Sequence, residues 1–313
     1  MNGIELAREY YLRFGKPMID EKFPHLKNYI AVGVCGQGSE CLGYDDEISR
    51  DHDFEPGFII FLPGEDIVDR RQAFLLERAY NALPKEFCGV RRLKVAPVGG
   101  SRRGVTRISD FFEKTVGSKD GALSTERWLT VPDFMLCEAI NGEIFFDGYG
   151  EVTRIRAALS DMPEDAMKKR LAGRLLAMAQ SGQYNYPRCL AHGESAAAQL
   201  SVCEFSRRAL ETIFLLNRRP MPFYKWAFRA LADLTNNFGA AEKIEFLLSI
   251  GNDPFAAAKK TAVIEDLCAS VAKEIELMGI APFDCELERL AYSVNDSIKD
   301  AAVRSLSVFC TVQ

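Results

Sequence analysis

The sequence predicts an α+β fold in two parts: a mixed-sheet domain over residues 1–155, then an α-helical bundle domain over residues 156–313. Two observations predict it. The first third holds short β-branched runs set between turn residues, beginning with Tyr29-Ile30-Ala31-Val32-Gly33-Val34-Cys35. From about Pro163 onward, strand signals give way to apolar residues spaced by three and four.

Taken in order, a helix is expected over residues 4–14, with Gly15 where a left-handed cap is wanted. The run from Tyr29 to Cys35 reads as a buried strand and ends in the turn-rich Gly36-Gln37-Gly38-Ser39. A second strand is expected to contain Asp51-His52-Asp53-Phe54 and to continue, across a break at Pro56-Gly57, into Phe58-Ile59-Ile60-Phe61-Leu62. A helix fits residues 68–83, and short strands fit 92–98 and 104–108. Residues 128–139 read as one helix, and 143–147 as a strand closed by Gly148. In the second half, Ala198, Val202, Phe205, Ala209, Ile213 and Leu216 form one apolar stripe. Asp253-Pro254 supplies an N-cap and a first-turn proline. The helix they open carries Val263, Leu267, Val271, Ile275 and Met278 on one face and Gly279 past its end.

Composition narrows the function classes. A net charge of −5 argues against broad nucleic-acid or anionic-membrane binding. The nine cysteines are scattered and none has C-x-x-C spacing, so reduced thiols are expected rather than zinc or a disulfide framework. The opening residues include Glu5, Arg8 and Glu9, too charged for a signal peptide. No apolar run approaches the ~18 residues of a membrane span. A cytoplasmic location with no membrane partner is the expectation.

The stretch that carries chemistry is Gly36-Gln37-Gly38-Ser39-Glu40, followed by Asp51-His52-Asp53. Handling a nucleoside triphosphate needs backbone N–H groups that approach the phosphates closely, which favours glycine and a small hydroxyl residue. Mg²⁺ is a hard ion that takes carboxylate and phosphate oxygens. Carboxylates at i and i+2 on a strand point to one face, so Asp51 and Asp53 could reach one metal.

At these residues the sequence resembles the DNA polymerase β-like nucleotidyltransferase superfamily, whose pattern is an apolar residue, Gly, Gly or Ser, then Asp-apolar-Asp/Glu-apolar. Here Gly38-Ser39 is followed, after eleven residues, by Asp51-His52-Asp53-Phe54. The longer string from Gly38 to Asp53 looks like the bacterial family catalogued as a domain of unknown function, DUF4037. The blocks Ile213-Phe214-Leu215-Leu216-Asn217-Arg218 and Pro222-Phe223-Tyr224-Lys225-Trp226 extend that likeness. The resemblance implies a nucleotidyltransferase-type domain that uses Mg²⁺ or Mn²⁺ to move a nucleoside monophosphate from ATP, or another nucleoside triphosphate, to a hydroxyl acceptor. A small-molecule acceptor is favoured over RNA or protein. Asp51 and Asp53 would ligate metal, Gly38 and Ser39 would bind phosphate, and Lys225 and Tyr224 would contact the nucleotide from the helical half. The sequence departs from the pattern at His52, between the carboxylates. Neither 92–98 nor 104–108 contains the third carboxylate that active members carry, leaving Asp147 and Glu204 as possible bases. The alternative is a catalytically silent nucleotide-binding regulatory protein.

Several residues have plainer readings. Glu40, Asp45, Asp46 and Glu47 read as solvated acids, and Arg91, Arg92, Lys94, Arg102, Arg103 and Arg107 as a solvated basic stretch. Lys225 could lie over packed aromatics. Glu204, Arg208 and Glu211 have the spacing of a local ion-pair network on a helix.

Overall fold

A computed structural model describes residues 1–48, 54–92 and 102–311. The described chain divides into two compact units, one of residues 1–123 and 135–161, the other of residues 124–134 and 162–313. The fold class is α+β, as the sequence predicts. No described helix is long and apolar enough to cross a membrane.

The first unit opens with α1 (Gly3–Tyr10) and α2 (Lys16–Lys22), joined through a π-helical turn, Tyr11–Gly15. The expected stop at Gly15 does not occur: its backbone is right-handed helical (φ −69°, ψ −50°). The glycine serves packing instead, because a Cβ there would fall on the Phe58 ring. Next come β1 (Ala31–Val34), β2 (Ile59–Leu62) and α3 (Arg70–Asn81), whose first turn is closed by a capping box between Asp69 and Gln72. A small hairpin follows, β3 (Glu86–Phe87) and β4 (Val90–Arg91), then β5 (Gly104–Arg107) and α4 (Ile108–Val116). The hairpin and α4 are not foreshadowed by the residue pattern.

The single helix expected over 128–139 is two, α5 (Thr125–Thr130) and α6 (Asp133–Ile140). Pro132 explains the break. It lacks an N–H, and it forces Val131 into an extended conformation (ψ 126°). β6 (Glu143–Asp147) and α7 (Glu151–Ser160) complete the first unit.

The four longer strands run in the order β5-β2-β1-β6. β1 is antiparallel to both neighbours, with Gly33 opposite Ile59 on one side and Val34 opposite Glu143 on the other. The β1–β6 register slips between Val32 and Gly33, where a side chain on Gly33 would collide with the β6 backbone. β2 and β5 are parallel. The core beneath the sheet includes Tyr10, Ile30, Val32, Val34, Phe58 and Tyr80. The expected second strand is shorter than predicted. Phe54 is not in a strand, and β2 begins only at Ile59, past Pro56-Gly57. Asp51-His52-Asp53 and nearly all of the strand expected at 92–98 lie outside the described residues.

The second unit is helical. α8 (Glu164–Met178) runs through a second π-helical turn, Ala179–Asn185, into α9 (Tyr186–Ala191). Then come α10 (Ser195–Leu216), α11 (Tyr224–Ala232), α12 (Ala240–Ser249), α13 (Pro254–Leu277), α14 (Leu287–Asp296) and α15 (Ala301–Ser305). α8 packs against both α10 and α14 and is buried on nearly all sides. It therefore carries Lys169, Arg170 and Arg174 into the interior, where each needs partners. The α10 stripe from Ala198 to Leu216 is buried throughout, as expected. Asp253 caps α13 by accepting from the Phe255 and Ala256 N–H groups, and Gly279 takes the left-handed conformation after its end. On α13, Ile264 rather than Val263 takes the innermost place.

Candidate functional site

Within the first unit, β1 leads through buried Cys35 into the turn at residues 36–39. Gly36 (φ 105°) and Gly38 (φ 117°) hold conformations that residues with a Cβ rarely adopt. The Asn141 amide brackets the turn. Its Oδ1 accepts from the Gly36 N–H at 2.9 Å, and its Nδ2 donates to the Gly36 carbonyl at 2.8 Å. Arg102 Nη1 donates to the Gln37 carbonyl at 3.0 Å. The Ser39 carbonyl accepts from the N–H groups of Leu42 and Tyr44 at 3.0 and 2.9 Å. The carbonyls of Gly36, Gln37 and Ser39 are thus occupied. Among the described residues, neither the Gly38 nor the Ser39 N–H makes a backbone hydrogen bond. A turn of this kind, with carbonyls tied back and N–H groups left over, can face an anion.

Glu40 corrects one expectation. It is buried rather than solvated, and its carboxylate pairs with Arg103 at 2.8 Å and stands 3.9 Å from Arg102. Arg103 is itself buried. The acid and part of the basic stretch thus satisfy each other inside the unit, as a buried charge requires. The Glu40 carboxylate lies against Gly38, so that glycine has a packing reason as well as a conformational one. Asp45 is half-buried and accepts from the Gly3 N–H at 3.0 Å.

Asp51 and Asp53 lie outside the described residues. The antiparallel pairing of β1 and β2 brings the chain entering β2 to the end of β1 from which the turn leaves. Among the described residues, no cluster of three or more His, Cys, Asp or Glu side chains could hold a metal ion, so the metal expectation rests on Asp51 and Asp53.

Asp147 closes β6 opposite Ala31, the first residue of β1, whereas the turn follows the last, Val34. At ~3.3 Å per residue these ends are roughly 10 Å apart. The Asp147 carboxylate accepts from the Gly150 N–H, the Thr153 N–H and the Thr153 hydroxyl, each at 2.8 Å, and so fixes the entry to α7. The structure does not bring Asp147 to the turn. A carboxylate that sequence reasoning missed is closer to it. Glu138, on α6, is partly buried, and burial pushes its carboxyl above the ordinary value; Gln37, Lys114 and Arg102 favour its ionised form. Nothing in the spacing of Glu138 could have found it, because only the fold brings α6 beside Gln37.

In the second unit, Glu204 accepts from Arg208 Nε at 2.6 Å, and Arg208 Nη1 reaches Glu211 at 3.0 Å. This is the expected local network, and it extends further. Arg207 also reaches Glu211, at 3.1 Å, and Arg174 stands 3.9 Å from it. Arg174 donates to Asp133 at 2.7 Å and to the Glu211 carbonyl at 2.8 Å, and Arg170 pairs with the other Asp133 oxygen. Burial, helped by Arg174, pushes the Arg170 guanidinium down to about 10 against the pull of Asp133. Lys225 Nζ lies 4.9 Å over the Trp226 ring, which Arg229 also approaches. Tyr224 is largely exposed, tilted against Phe223 with ring centroids 4.4 Å apart.

The cysteines follow the packing expectation where they are buried. Burial raises the Cys35 thiol to about 11 and the Cys41 thiol to about 12, far from a reactive thiolate.

Residues 128–227 match a family model described as a domain of unknown function (DUF4037). The match takes in the ionic network from Asp133 to Glu211 together with Tyr224 and Lys225, but not the segment from Gly36 to Asp53. No curated protein matches the chain.

Proposed function

We propose that this chain is a Mg²⁺-dependent nucleotidyltransferase that moves a nucleoside monophosphate from ATP, or another nucleoside triphosphate, to a hydroxyl acceptor. One observation carries the reading. A turn with two glycines at positive φ leaves β1, its Gly36, Gln37 and Ser39 carbonyls tied back by Asn141, Arg102 and its own chain, and among the described residues the Gly38 and Ser39 N–H groups make no backbone bond. The segment entering the antiparallel neighbour β2 carries Asp51-His52-Asp53 in the sequence. The donor set suits a hard cation, since Asp51 and Asp53 offer carboxylate oxygens only. When bound, Mg²⁺ held by those two residues would neutralise phosphate charge and favour departure of pyrophosphate.

In the reaction, the acceptor oxygen bonds to the α-phosphorus. The bond from that phosphorus to the β-phosphate bridging oxygen breaks, and pyrophosphate leaves. The hydroxyl proton passes to a base. Glu138, beside Gln37 and with its carboxyl raised by burial, suits that task better than Asp147, whose oxygens are engaged at the start of α7. Glu204, the other possible base, and Tyr224 and Lys225, the expected nucleotide contacts, belong to the second unit.

A triphosphate labelled at the α or the γ position, incubated with the protein, Mg²⁺ and cell extract, tests the proposal. Label from the α position is expected on an acceptor, with loss of transfer in Asp51→Asn and Asp53→Asn while both variants stay folded. Tight nucleotide binding with no α-label transfer would establish the silent regulatory reading instead, which the engagement of Asp147 away from the turn favours.

A further inference from the structure

A cleft of about 650 Å³ opens within the second unit, lined by residues of α5, α6, α8, α10, α11 and α12. Its volume lies in the range of small-molecule pockets. All of its lining except Phe228, Leu248 and Thr311 falls within residues 128–227, so the cleft belongs to the part of the chain that the family model describes. Its rim is apolar and meets solvent. Phe223, Tyr224, Phe228 and Leu248 line the cleft, yet they are 43%, 72%, 38% and 39% exposed. Large apolar side chains gathered around one opening mark a binding site, whereas single exposed ones are ordinary surface.

The buried part of the lining is charged, and its charges are already matched. Arg170 and Arg174 share Asp133, and Arg208 reaches both Glu204 and Glu211. Three guanidiniums whose side chains are at most 7% exposed thus meet three carboxylates. Arg207 also reaches Glu211, but its side chain lies mostly in solvent. Charge is costly along this wall: burial, helped by Arg174, pushes the Arg170 guanidinium down to about 10 even beside Asp133. A ligand bringing a further charge of either sign would shed its hydration against groups whose own partners are in place.

We propose that this cleft binds a small, flat, uncharged aromatic molecule whose ring packs against Phe223, Tyr224 and Phe228. Aromatic rings pair with one another in offset or edge-on arrangements, and such a ligand would cover the rim and remove its apolar area from water. Phe223 already meets Phe134 edge-on, with centroids 5.9 Å apart, so part of the aromatic surface is fixed before a ligand arrives. The matched charges favour an uncharged body over an ion. The volume favours a compact ligand over a docked protein, which needs a broad face rather than a cleft. The site lies in the second unit alone and does not rest on the reaction proposed for the 36–39 turn.

Three probes of one shape separate charge from fit: naphthalene dimethanol, naphthalene dicarboxylate and naphthalene bis(methylammonium), each substituted at opposite ends of the ring system. Whichever end enters, the two ionic probes bring a charge into the cleft. Ligand-observed NMR on the full chain should show the diol binding at least about tenfold more tightly than either ion. Cys203 lines the cleft and is exposed, and Cys88 and Cys285, outside it, are exposed too. The bound diol should therefore slow alkylation of Cys203 by iodoacetamide while Cys88 and Cys285 react as before, read by peptide mass spectrometry. Tyr224→Ala should weaken the diol by about fivefold, and the exposed position lets that variant keep the fold. The proposal is overturned by no binding of the diol at millimolar concentration, by either ion binding as tightly as the diol, by Cys203 reacting at an unchanged rate with the diol bound, or by affinity unchanged in folded Tyr224→Ala.

Discussion

The turn at residues 36–39 and the ionic network of the second unit are held in place by opposite means. The turn is a backbone device. Its conformation rests on two glycines and on the neutral Asn141 amide, and the buried cation nearest it, Arg103, is matched by Glu40. The network is a side-chain device, in which several buried guanidiniums are held apart by a few carboxylates. A backbone device tolerates loss of neighbouring charges, whereas a charge network in low dielectric does not. The two regions should therefore differ sharply in what single substitutions do.

The largest effect is expected at Asp133. It accepts from both Arg170 and Arg174, and all three side chains are at most 8% exposed. Asp133→Asn would leave two guanidiniums buried with one neutral acceptor between them, and should cost about 3–5 kcal/mol of folding stability. Urea unfolding of both proteins measures this. A cost under ~1 kcal/mol would mean that water reaches the network, and the contrast between the two regions would collapse.

Asn141→Ala tests the turn on the same scale. Two hydrogen bonds to Gly36 are lost at a part-buried site, so a cost of about 1–3 kcal/mol is expected. Its effect on ATP binding should exceed its effect on folding, because the amide sets the direction of the Gly38 and Ser39 N–H groups. Unaltered ATP affinity in a folded Asn141→Ala protein would separate the turn from nucleotide binding.

The pH dependence of stability distinguishes the regions more finely. The folded-state pKa of Glu138 is raised by burial above its unfolded value. Its contribution to stability is therefore complete below the ordinary carboxylate pKa and is lost as pH rises through the folded value. Glu138→Gln should flatten that decline, with wild type losing stability relative to the variant as pH rises above the ordinary carboxylate value of about 4.3. Urea midpoints below and above that value give the comparison, and parallel curves would show that Glu138 is solvated.

The two regions also differ in how much of them the sequence disclosed. Turn and strand lie within one short stretch, so glycine, serine and a β-branched run suffice to locate β1 and the turn after it. The α10 stripe and the α13 cap were legible for the same reason: each is a property of one helix. The network draws Asp133, Arg170 and Arg208 from three separate elements, and no periodicity joins residues so far apart in sequence. Glu40 misled for a related reason. An acid after a glycine–serine turn reads as solvated until the fold brings Arg103 to within 2.8 Å. Gly15 misled because a glycine that ends a helix and one that admits a neighbouring ring look alike in one dimension.

The smallest effect is expected at the exposed edge of the same network. Arg207 reaches Glu211 at 3.1 Å, as Arg208 does at 3.0 Å, but the Arg207 side chain is 58% exposed and that of Arg208 only 7%. A solvated guanidinium gains little from its partner, because water screens the pair and the side chain loses rotamer freedom in making it. Glu211 would also keep Arg208 and the more distant Arg174 after the loss. Arg207→Gln should thus change folding stability by no more than about 0.5 kcal/mol, roughly a tenth of the Asp133→Asn cost, although both substitutions remove a member of one network. The same urea series measures it. A cost near 2 kcal/mol would show that the network acts as one cooperative unit, and that burial does not rank its members.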